Sequence, residues 1–150
     1  MKKNFILFFL MFFCVTAFGQ NTTEKSQNTI APDERVFDVV EEQPSFPGGQ
    51  GELMQWLSAN INYPVTAVQN GVQGRVIVQF VVSKTGEISD IKVTRGVDPS
   101  LDKEAVRVVS AMPKWTPGRQ GGKAVNVRYT LPVTFRLDAY NQKTSNEWRH

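Results

Sequence analysis

Catalysis needs groups that attack, move protons or hold a metal, and this sequence supplies few of them. Its single histidine, His150, is the last of 150 residues, and its single cysteine, Cys14, sits in an apolar N-terminal run. One residue of each kind, neither beside the other, makes no Cys/His nucleophile pair and no His or Cys metal cluster. Glu41 and Glu42 are adjacent in an acidic, extended stretch. Neighbouring side chains there point to opposite sides, so the two cannot act as a paired acid and base. Gly118-Arg119-Gln120-Gly121-Gly122-Lys123-Ala124 has the glycines and lysine of a phosphate loop. It lacks the four-residue spacing and the Ser or Thr after Lys, and it leads into a strand rather than a helix N-terminus, so it reads as a loop. No basic stripe interleaved with aromatics appears, which argues against a nucleic-acid partner. The expectation is a protein with no enzymatic activity, no cofactor and no metal.

The elements around these residues are easier to read. Leu53, Trp56, Leu57 and Ile61 keep a helical period that Tyr63-Pro64 ends, because the residue before proline is pushed out of the α region. Ala67 and Val68 add at most one further turn before Asn70-Gly71. Gly74–Ser83 is a strand with apolar residues on both faces, hence central in its sheet, and the turn at Ser83–Gly86 leads into a second strand, Ile88–Arg95. Asp98 caps a helix whose first residue is Pro99 and whose stripe is Leu101, Ala105, Val108, Val109 and Met112. Val125, Val127, Tyr129, Leu131, Val133, Phe135 and Leu137 then alternate with polar residues, the pattern of a half-buried strand. Pro132 has no N–H for a ladder, so this last strand lies at an edge or is kinked near Leu131. The order predicts an α+β two-layer sandwich: two helices on one face of a three-stranded antiparallel sheet in a split βαβ arrangement, with room for an extra N-terminal strand.

The flanks differ in composition. Lys2 and Lys3 precede an apolar run from Phe5 to Phe18 that closes on Ala17-Phe18-Gly19, so residues 1–19 read as a cleavable signal peptide and the protein as periplasmic. The alternative is an inner-membrane anchor made by an uncleaved leader, although the run is shorter than the roughly 20 residues a bilayer requires. Phe12 and Phe13 are bulky where lipid attachment at Cys14 wants small residues. Residues 20–34 form a polar tether, 35–46 an acidic arm, 35–137 the domain with its arm, and 138–150 a polar tail. The net charge of +3 falls to +1 without Lys2 and Lys3.

Phe46-Pro47-Gly48-Gly49, Leu53, Trp56-Leu57, Asn60-Ile61, Tyr63-Pro64, Ala67, Gly71-Val72 and Gly74-Arg75-Val76 follow one another at spacings that resemble the TonB C-terminal domain family, in the form common in Bacteroidetes-type envelope proteins. Gly86, Leu101-Asp102, Ala105, Trp115-Thr116-Pro117-Gly118 and Val125 through Phe135 extend the resemblance over residues 46–137. It implies recognition by β-augmentation: an extended segment of an outer-membrane transporter, the TonB box, lies beside the last strand. Carried over by position, Val125, Asn126, Val127, Arg128, Tyr129 and Thr130 would meet that partner, and Tyr63 and Pro64 match a family marker.

The chain departs from a complete transducer. The 15-residue tether would reach only about 20 Å as a coil, and an inner-membrane motor complex becomes a partner only if the leader is retained. A different class of reading is a structural envelope module that forms a homodimer through its edge strand. Charge separates along the chain: the arm is acidic, whereas Arg107, Lys114, Arg119, Lys123, Arg128 and Arg136 gather in and around the last strand with no acid between Ala105 and Leu137. Such a field steers acidic segments toward that strand.

Overall fold

The computed structural model describes residues 34–147. The signal peptide and nearly all of the tether expected from the sequence therefore lie outside the described residues, as does His150. The elements are β1 (Val36–Phe37), α1 (Gln50–Asn60), α2 (Val65–Gln69), β2 (Gly74–Val82), β3 (Ile88–Arg95), α3 (Pro99–Ser110), β4 (Arg119–Gln120), β5 (Lys123–Ala124), β6 (Asn126–Phe135) and α4 (Leu137–Glu147). The main sheet has the order β1-β6-β2-β3. The three long strands are antiparallel with β2 in the middle, and α1 and α3 cover one face, as the apolar patterns predict.

Alternation along the strands builds the core. Val76, Val78, Phe80 and Val82 of β2 and Val127, Leu131, Val133 and Phe135 of β6 are buried on the same side. Against them α3 brings Leu101, Ala105, Val108 and Val109, and α1 brings Leu53 and Leu57. Trp115 closes the layer near Gly86, with ring centroids 5.4 Å from Phe80, 5.0 Å from Tyr129 and 5.9 Å from Phe46. Its indole N–H is buried without a hydrogen-bond partner and sits among these rings. Gly86 has φ 86° because the loop must pass tight under Trp115: a Cβ there would lie 2.0 Å from the Trp115 carbonyl oxygen.

One buried polar knot ties the helices together. Glu104, 8% exposed, accepts hydrogen bonds from the Asn62 N–H at 2.8 Å and from Arg107 Nε and Nη2 at 2.8 and 2.6 Å. Arg107 Nη2 also donates to the Asn60 carbonyl at 2.8 Å, which satisfies a carbonyl at the end of α1. These bonds hold the Arg107 guanidinium above its ordinary pKa. At the other end of α3, the Ser100 N–H donates to Asp98 Oδ2 at 2.9 Å and its hydroxyl donates to the same oxygen, so Asp98 caps the helix and its carboxyl is held below the ordinary carboxylate value.

Two expectations change, and a third is decided between its alternatives. Residues 118–124 are not a plain loop: Arg119 pairs with Ala124 and Gln120 with Lys123, and Gly121 and Gly122, at φ 58° and 75°, make the two-residue turn of a hairpin. The polar tail is helical as far as Glu147. No residue of α4 is buried, so it is held by docking: Tyr140 stacks on Tyr63 at 5.4 Å and Lys143 Nζ reaches the Ser58 and Ala59 carbonyls at the end of α1 at 3.4 and 3.3 Å. Of the two readings of β6, at an edge or kinked near Leu131, the edge holds: its pairing with β2 runs unbroken from Val82↔Val127 to Gly74↔Phe135, and β1 covers only its first two residues.

Two outcomes test this framework. Glu104→Ala strands the Asn62 N–H and removes the carboxylate from Arg107, and should cost about 2–3 kcal/mol in urea unfolding. The Asp98 contribution is present above the unfolded carboxylate value, about 3.9, and is lost as pH falls through the lower folded value. Asp98→Asn keeps the cap, so its urea midpoint should decline less than that of the parent protein between pH 5 and pH 2, a range set by those reference values.

Candidate functional site at a sheet edge

A strand at a sheet edge leaves every second residue with its N–H and C=O pointing out of the sheet, and that row can pair with another chain. This sheet has two sides on which that can happen. On the β3 side the row is broken. Its pairing with β2 shifts between Ile77 and Val78 and again between Gln79 and Val81, and Asp90 takes φ 51° at the second irregularity. Bulges of this kind twist an edge and disrupt its ladder, which protects it from pairing.

The β6 side is regular over ten residues. Which of its backbone groups face outward follows from three observations. The Ser83 N–H donates to the Glu87 carbonyl across the β2–β3 turn, and the Ile77 carbonyl accepts from Thr94 on β3. Odd-numbered β2 residues thus point to β3 and even-numbered ones to β6. Val82, Phe80, Val78, Val76 and Gly74 stand opposite Val127, Tyr129, Leu131, Val133 and Phe135, so those five β6 residues spend their N–H and C=O on β2. Arg128, Thr130, Pro132 and Thr134 point away from it. Proline, which lacks an N–H, falls in the set where a missing donor breaks no ladder bond.

The six residues expected at the partner surface divide accordingly. Val125 precedes β6 and donates its N–H to the Gly118 carbonyl at 3.0 Å. Asn126 and Val127 already have a neighbour on the outer side: β1 runs parallel to β6 with Val36 opposite Asn126 and Phe37 opposite Val127. The Asn126 side chain also accepts from the Lys84 N–H at 2.9 Å and lies 3.4 Å from the Arg35 carbonyl. Arg128 is exposed and paired with Asp38 at 2.5 Å, while Tyr129 turns inward onto Phe80 and Trp115. Thr130 is exposed. The open stretch is therefore displaced from residues 125–130 toward residues 128–134. The cause is the N-terminal strand, whose place beside β6 a two-residue signal does not reveal.

Tyr63 and Pro64 lie at the opposite end of β6. The Tyr63 hydroxyl donates to the Val72 carbonyl at 2.6 Å, its ring meets Phe135 at 5.6 Å, and burial raises its pKa. Pro64 precedes α2 in extended backbone at the N-cap position. Both positions are engaged in shaping the α1–α2 corner. A groove of about 680 Å³ lies beside Tyr63, between α1 and α4, with Met54, Ile61, Phe135 and Tyr140 on its walls. Among the described residues no three His, Cys, Asp or Glu side chains gather as a metal would need, and no helix is long and apolar enough to cross a membrane.

The family model described as Gram-negative bacterial TonB protein C-terminal matches residues 59–137. Protein TonB of Pseudomonas aeruginosa is 33% identical over 76 residues, which cover 51% of this chain and 22% of that protein. The chain thus spans about a fifth of the length of the curated relative it matches. The solution structure of the Helicobacter pylori TonB C-terminal domain is 23% identical, covers 58% of this chain and 91% of that one, and superposes with a TM-score of 0.47. That of the P. aeruginosa domain is 32% identical, with 51% and 78% covered and a TM-score of 0.41.

Amide exchange reads the orientation of β6 directly. The N–H groups of Tyr129, Leu131 and Val133 should be protected to the level of the core, and those of Thr130 and Thr134 should exchange at least a hundredfold faster. Equal protection along the strand would mean that something covers its outer side.

Proposed function

The chain belongs to the TonB C-terminal domain family, and from that premise we propose that it serves energy-coupled transport across the outer membrane as a periplasmic protein-binding module. Its partner is the TonB box, the extended segment of an outer-membrane TonB-dependent transporter, which adds to the sheet as a strand on the outer side of β6. The observation that carries this reading is the contrast between the two edges. β3 is bulged twice, whereas β6 is straight, and from residue 128 to residue 134 it directs a regular set of backbone groups outward. Main-chain pairing of this kind needs no enclosed pocket and no reactive side chain, in keeping with a non-enzymatic role.

The surroundings of β6 support the same partner. Arg128 and Arg136 stand on or just beyond the strand and are exposed, in surface ion pairs with Asp38 and Asp138 for which the carboxylate of an approaching acidic segment can compete. The motor complex of the inner membrane enters only if the leader at residues 1–19 is retained. A homodimer through the same edge would draw on the same groups, but Pro132 would leave a gap in the ladder of each copy, which counts against it.

Thr130→Pro tests the reading while leaving the β2 ladder intact, since residue 130 faces outward as residue 132 does. Titration with TonB-box peptides from transporters of the same organism should show affinity lowered about fivefold to tenfold, the worth of one backbone hydrogen bond. Unchanged affinity in a variant of unchanged stability would remove β6 as the binding edge.

A further inference from the structure

The acidic arm does more at β6 than lend charge. It enters beside β6 as a strand, pairs for two residues, and leaves at a bend at Asp38 and Val39. Its base is firmly held. Glu42 and Arg119 exchange backbone bonds of 3.1 and 2.9 Å, Ser45 and Thr116 exchange bonds of 3.0 and 2.8 Å, and Val40 and Phe46 are buried at 8% and 6% exposure. Its tip is not. Val36 is 37% exposed and Val39 81%. The Arg128–Asp38 pair joins side chains that are 40% and 69% exposed, where an ion pair adds little and salt screens it.

A strand tip with a weak hold, hinged on a firm base, lies over the first two residues of the one regular edge. From this we propose that residues 35–39 are a built-in occupant of the partner site: the incoming segment displaces this tip, takes its place beside Asn126 and Val127, and presents its own carboxylate to Arg128 in place of Asp38. This rests on the reading of β6 as the binding edge and adds its regulation and one chemical requirement of the ligand, an acidic residue level with Arg128. Val40 and the bridges at Glu42 and Ser45 keep the base seated, while the bend at Asp38 and Val39 lets the segment before it swing aside. A tip held by two paired residues, one long side-chain bond from Asn126 to the Arg35 carbonyl and one exposed ion pair is easily moved, because a partner that pairs along residues 126–134 replaces those bonds and adds more. While seated, the tip reduces the fraction of molecules ready to bind, and apparent affinity falls by that fraction.

The test uses the full chain and two probes: a TonB-box peptide and a peptide copying residues 34–41, Glu-Arg-Val-Phe-Asp-Val-Val-Glu. Phe37→Pro removes the tip's N–H and its fit to the ladder, and Asp38→Lys, at a side chain that is largely exposed, breaks the ion pair without touching the core. Both variants should bind the arm peptide and the TonB-box peptide about tenfold more tightly than the parent at low salt, with the gain for Asp38→Lys vanishing near 1 M salt. A copy of the arm peptide with Lys at the Asp38 position should lose most of its affinity for Phe37→Pro. If TonB-box peptide binds parent and variants equally, the edge is a binding site and the tip is no occupant of it, which overturns this inference alone. If neither peptide binds any of the three proteins, the edge reading fails and this inference falls with it. Because Asp38→Lys changes only a surface side chain, it decides the question even if Phe37→Pro does not fold.

Discussion

The pairing of β2 with β6 is the constraint on which the rest of the domain depends. It runs over nine residue pairs without a break, and a strand has a period of two, so that register decides two things at once. It sends Val127, Leu131, Val133 and Phe135 into the helical layer, and it sets which backbone groups remain for β2 and which are left over. A slip of one residue would turn the apolar set to solvent and place Pro132 where a ladder bond is required. Core and open edge are therefore not independent features. The burial that stabilises the sheet also enforces the outward set at Arg128, Thr130 and Thr134.

An open edge is a hazard as well as a device, and the other boundaries of the sheet are closed by different means. On β3 two irregularities interrupt the ladder, and Asp90 carries the left-handed turn that one of them needs. At the start of β6 the arm provides a short parallel neighbour. At its end the chain turns from Phe135 into α4, which docks on the end of α1 and on Tyr63. α4 thus joins the helical layer. The groove between α1 and α4 follows from that shallow docking, since the new helix leans on its neighbour by a ring contact and a lysine and buries no apolar side chain of its own.

Which parts of this were legible in the sequence follows from how local their causes are. Asp98-Pro99 announces a helix start through bonds that span two residues, and the observed helix begins at Pro99. The long alternation from Val127 to Phe135 announces a half-buried strand whatever lies beside it. β1 was foreseen as an extra N-terminal strand, but not its partner: two residues carry no period, and the pairing that makes them a strand joins positions about ninety residues apart. α4 was invisible for a related reason, because its support comes from Tyr63 and the α1 carbonyls. The hairpin at Gln120-Gly121-Gly122-Lys123 had its signal in plain view, two adjacent glycines, but without alternating apolar flanks that signal does not separate a turn from a loop. The outward edge of β6 was legible as a strand, but not the two residues of it that β1 covers.

The boundaries of the open stretch also say what fits there. From Arg128 to Thr134 is seven residues, about 23 Å of extended chain. Within it four residues face outward and one of them, Pro132, can only accept. A partner segment of similar length would meet donors at positions 130 and 134, a donor at 128 only once β1 is displaced, and acceptors at all four. The gap at 132 falls near the C-terminal end of the strand, so pairing is densest toward Arg128, where the charge also lies. The arm approaches from the same end. On the proposed reading of β6, affinity, charge and occupancy would be concentrated over its first few residues, while the part near Thr134 would contribute length. A peptide that reaches only the second half would meet the proline gap without the arginine, and a peptide that reaches only the first half would meet the arm. If a partner adds to β6 as proposed, strong pairing would need a segment long enough to pass Arg128 in both directions, and an edge of backbone groups would thereby gain a measure of selectivity.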